Sequence, residues 1–209
     1  MIQYEKNLGD IEMKRVKAEE LLRWVCEKNP GPWTEHSLNV ARAAEKIAGA
    51  CRLDTERAYV CGLLHDIGRY EGVTDLRHIL AGYELLNANG FDETAGGCLT
   101  HSFAYKDIKA HSGRNDCGPE QTAFIVSYLS ETEYDDYDKL IQLCDSLASA
   151  DGFCLIETRL TDVARRYGFN EFTLKKWDAT YEIKKYFDNL CGRNIYGLFY
   201  DEIVENIFK

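Results

Sequence analysis

The sequence has little of what divides a chain into pieces. It holds three prolines in 209 residues. No low-complexity stretch or long linker interrupts it, so a second independent domain is not expected. No apolar run approaches the length of a membrane span. The N-terminal stretch MIQYEKNLGDIEMKRVK lacks the apolar core that export requires. Paired cysteines are missing too: eight are present, none as C-x-x-C, and several fall inside apolar helical patterns. Reduced, mostly buried thiols in a cytoplasmic protein are therefore expected rather than a disulfide framework. Positive charge is short as well. The formal net charge is −10, which argues against a protein whose main business is gripping a nucleic-acid backbone. A small phosphorylated substrate stays open, because a bound metal ion inverts the local field of an acidic protein.

What is there is helical. Strand-type alternation is scarce, whereas apolar residues recur at three- and four-residue steps nearly throughout. Lys17 to Lys28 reads as a helix that NPGPW breaks. Thr34 is the expected N-cap of the next, with Leu38, Ala41, Ala44 and Ile47 on one side. Asp54 is expected to cap a third helix, ended by Gly68. A fourth runs from about Leu76 to Asn89, and Asp92 is expected to cap a fifth that carries His101. A polar loop follows, then helices over about Pro119–Ser130, Tyr137–Ala150, Ile156–Tyr167 and Leu174–Leu190. The fold class expected is all-α.

Only five histidines occur, and four of them, His36, His65, His78 and His101, fall on these helices among small or apolar neighbours. Asp66 follows His65 directly, and Asp145 interrupts the apolar stripe of LIQLCDSLASA. Taken singly, each has an ordinary explanation. A helical histidine more often packs than binds metal, and Asp145 could cap or pair with an arginine. Asp66, however, sits at the C-terminal end of its helix, where the dipole disfavours negative charge. A buried carboxylate there needs a counter-charge, and a metal ion provides one. Imidazole and carboxylate together suit Fe, Mn, Zn, Co or Ni.

The order His36, His65-Asp66, Asp145 resembles that of the HD-domain superfamily of metal-dependent phosphohydrolases. AYVCGLLHDIGRYEG resembles the central motif of that superfamily almost residue for residue, and His78 and His101 resemble the extra ligands of its dinuclear branch. The similarity runs from about Thr34 to Gly152. It implies a single-domain helical bundle over residues 1–209, with a motif core at 34–152 and C-terminal helices at 153–209 packed on the same bundle. It implies one or two divalent transition metals, iron or manganese before zinc, cobalt or nickel. Their ligands would be His36, His65, Asp66, His78, His101 and Asp145, with Asp66 and His65 at the catalytic heart. The implied reaction is hydrolysis of a phosphate ester or anhydride by metal-activated water. The implied substrate is a small phosphorylated molecule, a nucleotide or dinucleotide, since RHILAGYELL is similar to the matching region of bacterial HD hydrolases that split diadenosine polyphosphates symmetrically. Neither a nucleic-acid polymer nor a membrane is implied as partner, and a homodimer is left open.

Arg69, just past the motif, and Lys106, in the loop after His101, are the expected phosphate contacts. Lys109, Arg114, Arg77, Tyr83 and Tyr105 are weaker candidates, and His111 reads as a surface histidine. Two other functions share the resemblance. Inositol and phosphonate oxygenases of this fold use the same ligand order to activate O₂ at two irons. An HD-fold sensor would bind a nucleotide without turnover, and the aromatics of KKYFDNL and NIYGLFYDEI could then face a partner, although such residues more often pack in the bundle's own core.

Overall fold

The computed structural model describes residues 2–208, with side chains from residue 14 onward. The architecture is all-α, as expected. In chain order the helices are α1 (Ile2–Lys28), α2 (Trp33–Cys51), α3 (Thr55–Leu64), α4 (Arg77–Ala88), α5 (Asp92–Thr100), α6 (Pro119–Glu131), α7 (Asp136–Leu147), α8 (Ile156–Tyr167), α9 (Thr173–Cys191) and α10 (Tyr200–Ile207). Short 3₁₀ turns cover Ile67–Glu71, Ile108–Ala110 and Ile195–Leu198. One two-stranded antiparallel pair, β1 (Ala148–Ser149) and β2 (Gly152–Phe153), joins α7 to α8. Among the described residues no helix is long and apolar enough to cross a membrane.

Small residues let the central helices approach closely. A Cβ on Gly62 of α3 would stand 2.8 Å from the Ala41 Cα of α2, so only glycine fits there. One core cluster joins Val40, Ala44 and Ile47 of α2 to Leu140, Leu143 and Leu147 of α7. The same cluster takes in Phe187, Ile195, Phe199 and Ile203 from the C-terminal part of the chain. Of the aromatics in KKYFDNL and NIYGLFYDEI, Phe187 and Phe199 are thus buried and Tyr196 packs partly against them, while Tyr186 and Tyr200 stay exposed. A second cluster packs α1 on α3 and α4 through Leu22, Val25, Leu63 and Leu86. A third joins α4, α5 and α6.

Several local expectations need correction. Thr34 does not cap α2: the helix begins at Trp33 with Pro32 at the N-cap (φ −61°) and no side-chain cap. Proline's fixed φ already suits a helix start, and the Thr34 hydroxyl instead faces Cys26 Sγ at 3.3 Å. Asp54 does cap α3, accepting from the amides of Glu56 and Arg57. That helix ends at Leu64, not Gly68, because Asp66 (φ −105°, ψ 13°) leaves the α region and a 3₁₀ turn follows. Asp92 is the first residue of α5, with Phe91 at the N-cap. The helix Lys17–Lys28 extends back to Ile2, and α10 went unforeseen.

The cysteines depart furthest from expectation. Cys51 and Cys191 form a disulfide across a separation of 140 residues, with Cα atoms 4.6 Å apart. The other six remain free thiols. Spacing along the chain carries no sign of this pair; the ends of α2 and α9 bring it together.

Candidate metal centre

Four histidines and one aspartate converge where α2, α3, α4 and α5 meet. His36 lies in the first turns of α2, and His65 is the residue that closes α3. Asp66 precedes the 3₁₀ turn, His78 opens α4, and His101 closes α5. All five are buried. His36, His65 and Asp66 form one trio whose donor atoms lie within 4.8 Å of one another, and Asp66, His78 and His101 form a second. Asp66 is common to both. Asp66 Oδ1 stands 3.1 Å from His78 Nε2 and 3.5 Å from His101 Nε2. Asp145, half-buried on α7, brings Oδ1 to 3.0 Å from His36 Nε2.

The imidazoles are oriented from behind. His65 Nδ1 meets the Gly62 carbonyl at 2.7 Å, His101 Nδ1 meets that of Cys98 at 2.9 Å, and His78 Nδ1 meets that of Asp75. A carbonyl only accepts, so each Nδ1 must carry the proton and each Nε2 must present a lone pair. Backbone partners of this kind fix the tautomer of metal-ligating histidines. The Nε2 atoms of His36, His65 and His78 and the Oδ1 of Asp66 are buried without a hydrogen-bond partner. Orphaned polar atoms this deep are costly. Imidazole nitrogens around a shared carboxylate are what a divalent transition metal satisfies, so the residues present fit one.

The electrostatics agree. Burial pushes the Asp66 carboxyl upward, but Arg69, whose Nε donates to Oδ2 at 2.6 Å, together with the surrounding imidazoles outweighs it and holds the group well below the usual carboxylate range. Burial opposes ionisation of Asp145 too, and His36 and Arg159 reverse it. Both carboxylates are therefore charged at neutral pH. Burial lowers His65 to about 3 and lowers His78 as well, so these imidazoles are neutral and available as donors.

A cavity of about 100 Å³ opens directly onto Asp66, His78, His101 and Asp145. Arg69, Arg159, Arg166 and Lys176 line it as well. Of these, only Arg69 was expected from sequence. Lys106 is not there: its ammonium donates to the Thr132 carbonyl and lies over the Tyr134 ring, because the loop after His101 turns that side chain toward α6. Arg77 is engaged by Glu71 at 2.7 Å. Lys109 and Arg114 do not line the cavity. Tyr83 packs on Phe124 and Tyr128, and Tyr105 on Phe172. His111 is not a surface residue. It lines the cavity, its Nδ1 is buried, and its ring lies 6.4 Å from that of His78.

The residues that sequence reasoning missed come from α8 and α9. Arg159 reaches Asp145 Oδ1 at 3.6 Å, and its Nε faces the Asp145 carbonyl at 3.4 Å. One signal was legible: Arg159 and Arg166 stand on a strongly amphipathic helix, seven residues apart and so on one face.

The model of the HD domain matches residues 33–150, more than half of the chain. A symmetrical bis(5'-nucleosyl)-tetraphosphatase from Staphylococcus aureus is 30% identical over 129 residues, covering 54% of this chain and 66% of that protein. An uncharacterized protein from Methanocaldococcus jannaschii is 36% identical over 86 residues, covering 39% of this chain and 48% of its own length. The chain thus spans less than two thirds of either relative. No solved structure matches it.

Proposed function

The chain belongs to the HD-domain family, and we propose that within it this protein is a metal-dependent hydrolase of a nucleotide or dinucleotide phosphate ester or anhydride. One observation carries the reading: lone pairs of backbone-anchored imidazoles converge on Asp66 at the floor of a cavity whose other wall is cationic. His36, His65, Asp66 and Asp145 would hold one divalent ion, and Asp66, His78 and His101 a second, Asp66 being common to both sets. Such ions supply hydroxide near neutral pH and polarise phosphoryl oxygens.

The protein's own groups do the rest. Arg69 keeps Asp66 ionised and oriented through its 2.6 Å contact. Arg159 does the same for Asp145. Lys176, with no carboxylate in contact among the described residues, and Arg166, paired with Asp162 at 2.9 Å, put positive charge on the cavity wall and would draw in the substrate's phosphates and offset charge in the transition state. The name of the Staphylococcus aureus relative describes a dinucleotide polyphosphate hydrolase, which supports nucleotides as the first substrates to try.

The test is phosphate release from a panel of mono- and dinucleotides, using protein stripped and reloaded with Mn²⁺, Fe²⁺, Co²⁺ or Zn²⁺. Release that needs metal and disappears in Asp66→Ala is the expected result. Turnover with redox-inert Zn²⁺ would separate hydrolysis from oxygen activation. No release with any metal, after loading is verified by elemental analysis, would overturn the assignment.

A further inference from the structure

The cavity at the metal centre continues into a second one, of about 90 Å³, between α8 and α9. The two spaces share Ser112, Asp145, Arg159, Val163, Tyr167 and Lys176. Both helices lie beyond residue 150, where the HD-domain match ends, so the family's core does not account for this cleft.

The cleft changes character along its length. Where it meets the metal centre it carries Lys176 and Arg159. Among the described residues no carboxylate lies within 4 Å of the Lys176 ammonium, and its nearest hydrogen-bonding partner is Ser112 Oγ at 3.5 Å. A half-buried ammonium without a counter-ion is unfavourable, and an anionic group brought in from solvent would relieve it. The walls that belong to this cleft alone include the apolar Leu160, Ala164, Phe169 and Trp177. Gly168, at φ +83°, ends α8 in a turn that only glycine makes without strain, with Tyr167 and Phe169 on either side of it. Tyr167 and Phe169 remain 48% and 67% exposed. The Phe169 ring stands 5.6 Å from that of Trp177, at 56°. Aromatic faces left in solvent beside an unpaired cation make a surface for a planar anion, not for the protein's own core.

We propose that the α8–α9 cleft is the recognition subsite for the part of the substrate that is not cleaved, with Lys176 and Arg159 holding a phosphate next to the scissile one and Tyr167, Phe169 and Trp177 receiving a flat ring such as a nucleobase. This rests on the hydrolytic reading above and assigns that reading its specificity determinant. Ring stacking of this kind is sequence-tolerant and contributes roughly tenfold or more per base. The cleft therefore selects for a ring in general, and the charged inner end selects for at least two linked phosphates.

The test is binding, measured by calorimetry on the metal-loaded protein with two non-hydrolysable probes. Adenosine 5'-(α,β-methylene)diphosphate carries the ring; methylenediphosphonate has the same linked phosphonates without it. The wild type should bind the first at least about tenfold more tightly. Phe169→Ala and Tyr167→Ala remove exposed side chains, so the fold should tolerate them, and each should cut that preference severalfold with little change for methylenediphosphonate. Lys176→Met should weaken both probes. Equal affinity for the two probes in the wild type, or a preference that survives both aromatic substitutions, would overturn the subsite. Because no turnover is needed, this outcome is independent of the Asp66→Ala result: hydrolysis could stand with the subsite lost, or the reverse.

Discussion

At the scale of single residues, burial keeps His65 and His78 of the centre and the nearby His111 neutral, and this has a measurable consequence for the metal-free protein. Burial lowers His65 to about 3 and His111 to about 2, and it lowers His78 too. A histidine in the unfolded chain titrates near 6.5. Above that pH both states are neutral, and these groups leave stability unchanged. Below it the unfolded chain takes up protons that the folded protein refuses, which costs about 1.4 kcal/mol per pH unit for each imidazole. Stability should therefore fall from about pH 6.5 downward. Asp66 and Asp145 are held below the ordinary carboxylate range, so their contribution is lost only at lower pH, as it falls past about 3.8. Urea midpoints of metal-free protein at pH 7.5 and 5.5 give the answer, and equal midpoints would mean that the imidazoles already carry charge in the fold. The residues of the proposed centre stood out in the sequence, because His65-Asp66 is a contiguous motif and the others fall towards helix ends. His111 and Lys176 did not, and Arg159 showed only as part of one face of an amphipathic helix. His111 sits in a polar loop that looks solvated, and the two cations reach the cavity only through packing between helices distant in sequence.

At the scale of elements, the 3₁₀ turn after Asp66 must lie against α4 for the two trios to share a carboxylate. Gly68 makes that possible: a Cβ there would collide with the His78 carbonyl and the Gly82 amide, both backbone atoms. Neither side can yield without moving α4. Gly68→Ala is therefore expected to cost about 3 kcal/mol, the upper end of overpacking penalties, and to weaken Mn²⁺ binding by parting Asp66 from His78. Gly97→Ala is the contrasting case, since nothing stands within 4 Å of its added Cβ. That change, in the interior of α5, should be neutral or stabilise by about 0.5–1 kcal/mol. Thermal unfolding and Mn²⁺ calorimetry on the two variants decide the point. Similar losses in both would show that helix packing here tolerates or rejects a methyl without regard to backbone proximity. Most helices were legible, α8 to the residue, because their apolar stripes repeat at helical spacing. Their ends were less so: Pro32, Asp66 and Phe91 set boundaries by backbone conformation, where Thr34, Gly68 and Asp92, one or two residues on, offered more familiar signals.

At the scale of the molecule, an acidic chain gathers four of its cations around one cavity, and helices beyond the HD-domain match supply three of them, Arg159, Arg166 and Lys176. Without α8 and α9 the cavity would lose these three cations, so in the proposed hydrolase their attachment to the rest matters for function as well as stability. Phe187, Ile195, Phe199 and Ile203 share a continuous core with α2 and α7, and we propose on that ground that the chain unfolds as one cooperative unit. The Cys51–Cys191 disulfide adds a covalent tie between the ends of α2 and α9. Closing a loop of 140 residues restricts the unfolded chain by about 5 kcal/mol in the chain-entropy model, with 2–4 kcal/mol more usual in practice. Dithiothreitol should accordingly lower the unfolding free energy by about 2–5 kcal/mol and leave the transition single. Replacing Trp24 and Trp33 with phenylalanine makes Trp177 on α9 the only tryptophan, so its fluorescence reports the C-terminal helices while circular dichroism reports the whole bundle. Coincident midpoints in the reduced protein would support one unit held mainly by its apolar core. An earlier fluorescence transition would instead mean that α8 and α9 detach first, and that the disulfide keeps Arg159 and Lys176 at the site.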